Sequence, residues 1–217
     1  MPTPGFPPAT LNSEGLPAWI SDLASYDPNH SLHVVRGLEP AQALRTLRAE
    51  PESIRPCVLP DTNPSDRFSL PFAALGDEPT LPAALLAGRI GEWTFVYDDS
   101  GATFDDTAEA LSRNGRTAAT TVYTINGDAY LIYAVDGEEV ASIYPDDLCL
   151  EEDLPGMPGE LAAALQAAGI ADWEDLEPGE VDSLIGMRTA CALAGLAVTL
   201  DDIRRIPLLI APLHEAD

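Results

Sequence analysis

The chain has 217 residues and a formal net charge of -25, because 36 Asp and Glu face only 11 Arg and the sequence contains no lysine. With 46% hydrophobic residues it can bury one sizeable core, which excludes a disordered acidic tail. The charge excludes direct binding to nucleic acid, whose phosphates need cations to displace their counterions, and to an anionic membrane surface.

The imbalance is graded along the chain. Residues 1–60 hold six acids and four arginines, 61–120 ten and four, and 121–217 twenty and three. Between Thr117 and Met187 sixteen carboxylates meet no Arg, Lys or His. A GC-rich coding bias would account for the missing lysines, with acidity serving solubility alone, but it does not account for a cation-free stretch of this length. A gradient points instead to one acidic surface formed by the second half.

Four prolines in the first eight residues predict a mobile arm over 1–15. Leu16, Trp19, Ile20 and Leu23 then recur at helical spacing within 16–26, and 32–37 reads as a short strand. Pro40 opens a helix with Leu44 and Leu47 facing inward, and Pro51 ends it. Seven prolines between Pro51 and Pro82 predict an irregular connection with one short helix near 72–75. Strands follow at 84–89 and 93–97, joined through Gly91. Thr103 is placed to cap a helix with Asp106 three residues on, Phe104, Ala108 and Leu111 share its face, and Asn114-Gly115 closes it.

Asn126-Gly127 and Asp136-Gly137 then divide residues 117–145 into three strands joined by two-residue turns. That spacing predicts Tyr123 opposite Tyr130, then Tyr130 opposite Ile143 and Tyr133 opposite Val140. One face would carry Tyr123, Tyr130, Ile132 and Ile143, and the other Val122, Leu131, Tyr133, Val140 and Tyr144. Both are substantially apolar, so both are expected to be covered. Helices are predicted at 158–168 and 180–196, the second apolar almost all round and therefore buried, with Arg188 in need of a carboxylate partner. Thr199 and Asp202 start a short capped helix, and 207–213 adds an edge strand.

The sequence carries no G-x-S-x-G elbow, H-E-x-x-H, Walker loop or dinucleotide fingerprint, so no catalytic residue and no cofactor is expected. His33 lies in the short strand and His30 precedes it; side chains three apart diverge in extended chain, and both read as structural. Cys57, Cys149 and Cys191 show neither disulfide-framework nor zinc spacing, which fits a reducing cytoplasm, and no secretory or membrane-spanning segment is read. The cluster Asp146, Asp147, Glu151, Glu152 and Asp153 is the one divalent-metal candidate, yet it lacks the alternating acids and glycine of a calcium loop, and no metal is expected. It reads instead, with Asp172, Glu174 and Asp175, as a solvated face or a docking surface for a basic protein. Trp173 stands inside the second acidic group, as interface anchors do.

Val35-Arg36-Gly37-Leu38 before a Pro-initiated helix, Gly91-Glu92-Trp93, Leu111-Ser112 leading into Gly115-Arg116-Thr117, Asp136-Gly137, and Leu193-Ala194-Gly195-Leu196 before Thr199-Leu200 resemble a large actinobacterial family of uncharacterised proteins over residues 16–205. The resemblance implies a cytoplasmic protein from a GC-rich bacterium and carries over no catalytic residues.

The fold expected is α+β, an antiparallel sheet of about five strands with packed helices and a helical C-terminal portion. Its parts would be the arm at 1–15, an α+β domain at 16–153 and a helical subdomain at 154–217 packed on the same core. The function expected is non-catalytic binding, in the manner of an immunity protein, with Asp146, Asp147, Glu151, Glu152, Asp153, Asp172, Trp173, Glu174 and Asp175 meeting a basic protein partner. A DNA mimic and a carboxylate enzyme are the alternatives.

Overall fold

The computed structural model describes residues 3–24, 29–62, 69–76, 83–103, 106–126, 128–146, 154–170 and 182–213. Three strands form its centre: β1 (His30–Arg36), and β3 (Ala83–Ile90) with β4 (Trp93–Asp98), hairpinned through Gly91 at φ 57°. Nearly every residue in them is buried, so both faces of the sheet are covered there and the strands read as apolar runs rather than alternations. The meander β5 (Thr117–Tyr123), β6 (Ala129–Val135) and β7 (Glu138–Ile143) extends the sheet on one side. β8 (Leu208–Leu213) and the three-residue β2 (Arg55–Cys57) extend it on the other. The result is one antiparallel sheet of eight strands in the order β2-β8-β3-β4-β1-β5-β6-β7, not about five.

β2 is not among the expected strands, and β8, expected as an edge strand over 207–213, lies elsewhere in the sheet; both segments carry proline. Pro56 sits in β2 at the sheet's edge, where its missing N–H costs nothing, and Pro212 sits in β8, which lies inside the sheet rather than at its rim. β2 pairs only with Leu208, Leu209 and Ile210, so at Pro212 the strand has a partner on one side alone. The C-terminal portion is therefore not only helical, since it returns a strand to the sheet between β2 and β3.

Among the described residues there are seven α-helices. α1 (Ala18–Leu23), α3 (Leu70–Leu75), α5 (Gly159–Ala167), α6 (Ile185–Ala194) and α7 (Leu200–Arg204) bury one side of the sheet. At the centre of that layer Trp19 meets Phe95 and Tyr97 edge-on, with ring centroids 5.4 and 6.1 Å apart. α2 (Pro40–Thr46) and α4 (Thr107–Ser112) cover the other side with Leu44, Leu47 and Leu111 on Val35, Leu85 and Val96. No helix among the described residues is long and apolar enough to cross a membrane.

Residues 3–15 do not project as a mobile arm. Phe6 is buried in the first core layer, Gly5 N–H donates to Ala167 O at 2.8 Å, and Leu11 forms a β-bridge with Pro17. Proline excludes regular structure but not a fixed irregular path, and here Arg188 fastens that path. Its guanidinium donates to Gly15 O at 3.2 Å, to Ala168 O at 2.8 Å and to the Asp182 carboxylate, the partner its burial in α6 requires.

The meander registers differently from the expectation. Val122, not Tyr123, faces Tyr130, because Thr124 and Asp128 close the loop one residue wider. Thr124 N–H donates to Asp128 O at 2.9 Å, and the Asp128 N–H donates to Thr124 Oγ1 at 3.2 Å. The second turn, Asp136-Gly137, has positive φ at both residues as expected, and β6 starts into β7 with the expected pairing of Val135 with Glu138. A bulge after Ala134 then moves Ile143 opposite Leu131 and Ala141 opposite Tyr133. Tyr123, Leu131, Tyr133 and Ile143 therefore share the face under α6, while Tyr130 and Ile132 lie on the side of α4.

Candidate functional site

Of the nine residues expected to meet a partner, Asp146 lies exposed in the turn after β7. Asp147, Glu151, Glu152, Asp153, Asp172, Trp173, Glu174 and Asp175 lie outside the described residues. Seven of the sixteen carboxylates in the cation-free stretch are described, and they divide by environment. Glu160 and Asp182 are neutralised from outside the stretch, by Arg36 and Arg188. Burial works against the Glu160 carboxylate, but the Tyr133 hydroxyl that donates to it, together with Arg36, holds it below the usual range. That group ties α5 to the sheet, with Arg36 also lying over the Trp93 ring at 4.6 Å.

The other five, Asp128, Asp136, Glu138, Glu139 and Asp146, are exposed and surround the β6–β7 edge of the sheet. None of them belongs to the five ion pairs found among the described residues. Asp136, Glu138 and Glu139 stand at the Asp136-Gly137 turn. Asp128 and Asp146 stand at the opposite end, where β6 begins and β7 finishes. That end also exposes apolar surface: Ile125 is 68% and Tyr144 48% exposed, and the Tyr144 ring rests 6.1 Å from that of Tyr130. Val140, in the bulged stretch of β7, is 50% exposed. Exposed apolar side chains and carboxylates outside any ion pair thus lie together along the β6–β7 side of the sheet. The register slip hid this, because the expected pairing put Tyr123 beside Tyr130 and Val140 beside Tyr133.

Both histidines are buried in β1 with hydrogen-bonding partners. The Asp98 carboxylate is buried and accepts from Thr103 N–H (2.7 Å) and Oγ1 (2.6 Å), and from Ser100 N–H (3.0 Å) and Oγ (2.9 Å). A hydroxyl has one proton, so Thr103, having donated to Asp98, accepts from His33 Nε2 at 2.7 Å. His33 is thereby the Nε2–H tautomer, and its Nδ1 accepts from Thr120 Oγ1 at 3.0 Å. Burial lowers the imidazole to about 4 against the opposing pull of Asp98, so it is neutral at physiological pH with both nitrogens occupied. This also explains why Thr103 is not the expected helix cap: its hydroxyl is committed to Asp98 and His33, and α4 begins at Thr107 behind Asp106, a left-handed residue at φ 54°. His30 Nδ1 likewise lies 2.9 Å from the Tyr97 hydroxyl. No group of three or more potential metal ligands occurs among the described residues.

The sequence pattern of DUF6461, a family of unknown function, matches residues 17–209, which takes in every described strand up to Leu209 in β8. The chain belongs to this family. No curated protein and no solved structure matches it. The match covers the sheet and both helical layers together, so the family pattern describes the whole fold and not an appended module.

Proposed function

We propose that this protein is a non-catalytic binding protein, similar in logic to a bacterial immunity protein, whose acidic second half docks a basic protein. The observation that carries the reading is the division of the carboxylates. Of the described carboxylates in the cation-free stretch, Glu160 and Asp182 are matched by arginine, whereas the five around the β6–β7 edge face solvent outside any ion pair, beside exposed Ile125, Val140 and Tyr144. Charge of this kind accelerates encounter with a cationic partner, and the apolar centre supplies the contact that persists after it. The segments outside the described residues add nine carboxylates, four at 147–153 and five at 171–181, and the first of these segments continues directly from Asp146.

The alternatives receive less support. A DNA mimic needs acids in a phosphate-like row, and the five described ones are split between the two ends of a hairpin. An enzyme needs a proton-transfer group open to substrate, and His33 and Asp98 have their hydrogen bonds filled inside the core. Free thiols at Cys57 and Cys191 suit a reducing cytoplasm, and the lysine-free composition suits a GC-rich, actinobacterial source.

The reading is tested by affinity capture from the host with wild type and with a variant carrying Asp128→Lys, Glu138→Lys, Glu139→Lys and Asp146→Lys. The expected outcome is a basic protein retained by the wild type at low salt, released by added salt, and lost in the variant. Identical captured sets for the two proteins would defeat it.

A further inference from the structure

Resting on that docking role, we infer that the partner's cationic segment binds in extended form, adding a strand along the outer edge of β7 over residues 141–144. An edge strand presents a row of N–H and C=O groups outward, and among the described residues no strand pairs with this side of β7. The bulge sets where such a segment can lie. Near the turn, β7 is irregular and flanked by Glu138 and Glu139, whereas from Ala141 to Ile143 it runs in unbroken register with β6. That regular stretch leads straight to the exposed apolar side chains Tyr144 and Ile125, with Asp128 and Asp146 at their margin.

Charge decides the occupant. A second copy of this chain would bring a charge of -25 against its equal and set exposed glutamates against glutamates. The same acids protect the edge from neutral and acidic strands and open it to a segment bearing Lys or Arg. Alternation along an added strand sends every second side chain to the same face, so a segment alternating apolar and basic residues places one set over Tyr144 and the other toward the carboxylate rim.

The test is an NMR titration of the full-length, isotope-labelled protein with two synthetic hexapeptides of alternating Arg and Val. One has an ordinary backbone, and the other is N-methylated at alternate amides so that it cannot pair as a strand. The expected result is that the first peptide shifts amides of Ile125 and residues 141–146, slows hydrogen exchange within 141–144, and binds at least about tenfold more tightly than the second. Tyr144→Ala, with Tyr144→Thr as the variant that retains strand propensity, weakens the first peptide by about tenfold. Asp128→Lys with Asp146→Lys does at least as much, and added salt weakens binding further. Equal binding of the two peptides, or shifts confined to surfaces away from β7, overturns strand addition while leaving electrostatic docking in place. Failure of both peptides to shift any amide overturns both.

Discussion

His33 shows how a single buried side chain sets a pH limit. Its folded value of about 4 lies below the roughly 6.5 of an unfolded histidine, so the unfolded chain binds a proton first. The stability due to neutral His33 is complete above about pH 6.5 and is lost as pH falls toward 4, an effect of order 3 kcal/mol. Urea unfolding across that window is expected to show this slope in wild type and not in His33→Gln. Asp99 acts in the opposite direction. Burial, with some help from the Asp98 charge, raises its carboxyl to about 6, although Ala84 N–H and the Ser69 hydroxyl pull the other way. Its folded form therefore favours the proton, and the stability this gives, present below about pH 4, is lost as pH rises through 6. Asp99→Asn is expected to raise stability at pH 7 by about 1 kcal/mol or more and to leave it nearly unchanged at pH 4, measured by the same unfolding experiment. Arg188 is the residue on which most separate segments depend. Arg188→Ala strands the Gly15 and Ala168 carbonyls and the Asp182 carboxylate at once, and a loss of about 3 kcal/mol or more is expected in thermal or urea unfolding.

Among the elements, α6 lies close against the sheet at Gly186. A Cβ on Gly186 would fall 2.6 Å from Thr121 Oγ1 and 3.3 Å from Tyr130 O, so Gly186→Ala must push the helix off β5 and β6. Helix propensity gains up to about 1 kcal/mol from that change, but overpacking costs about 1 to 3, and net destabilisation is the expected outcome in urea unfolding. The sequence made much of this level legible. The buried α6, the Thr199 and Asp202 capping box of α7, Pro40 at the start of α2 and the β3–β4 hairpin all follow from local pattern, because each is determined by residues close in the chain. The register of the meander did not follow. A one-residue difference in loop closure at Thr124 and Asp128 reverses the faces of β5 relative to β6, and that choice depends on hydrogen bonds that turn dipeptides do not specify. β2, and the place of β8 inside the sheet rather than at its edge, were obscured for a related reason. Whether a proline fits a strand depends on which neighbour lies beside it, and that is a property of the assembled sheet.

For the whole molecule, the acidic gradient was visible in composition, but its division into matched and unmatched carboxylates was not, because Arg36 and Arg188 reach Glu160 and Asp182 only through the fold. The exposed aromatic and aliphatic side chains beside the unmatched acids were likewise concealed by register. What remains at the β6–β7 edge is a set of exposed carboxylates beside exposed apolar side chains, the surface on which the proposed docking of a cationic protein rests. The missing lysines make this directly measurable. Zero-length carbodiimide coupling joins carboxylates to amines, and a chain without lysine offers no side-chain amine of its own, so every link to a lysine identifies another protein. Coupling in host cells followed by peptide mass spectrometry is expected to place those links on Asp128, Asp146 and the carboxylates that follow, joined to lysines of one basic protein. Links scattered over Glu14, Glu52, Glu92 and Asp201 as often as over the β6–β7 edge, or spread across many unrelated proteins, would contradict the account.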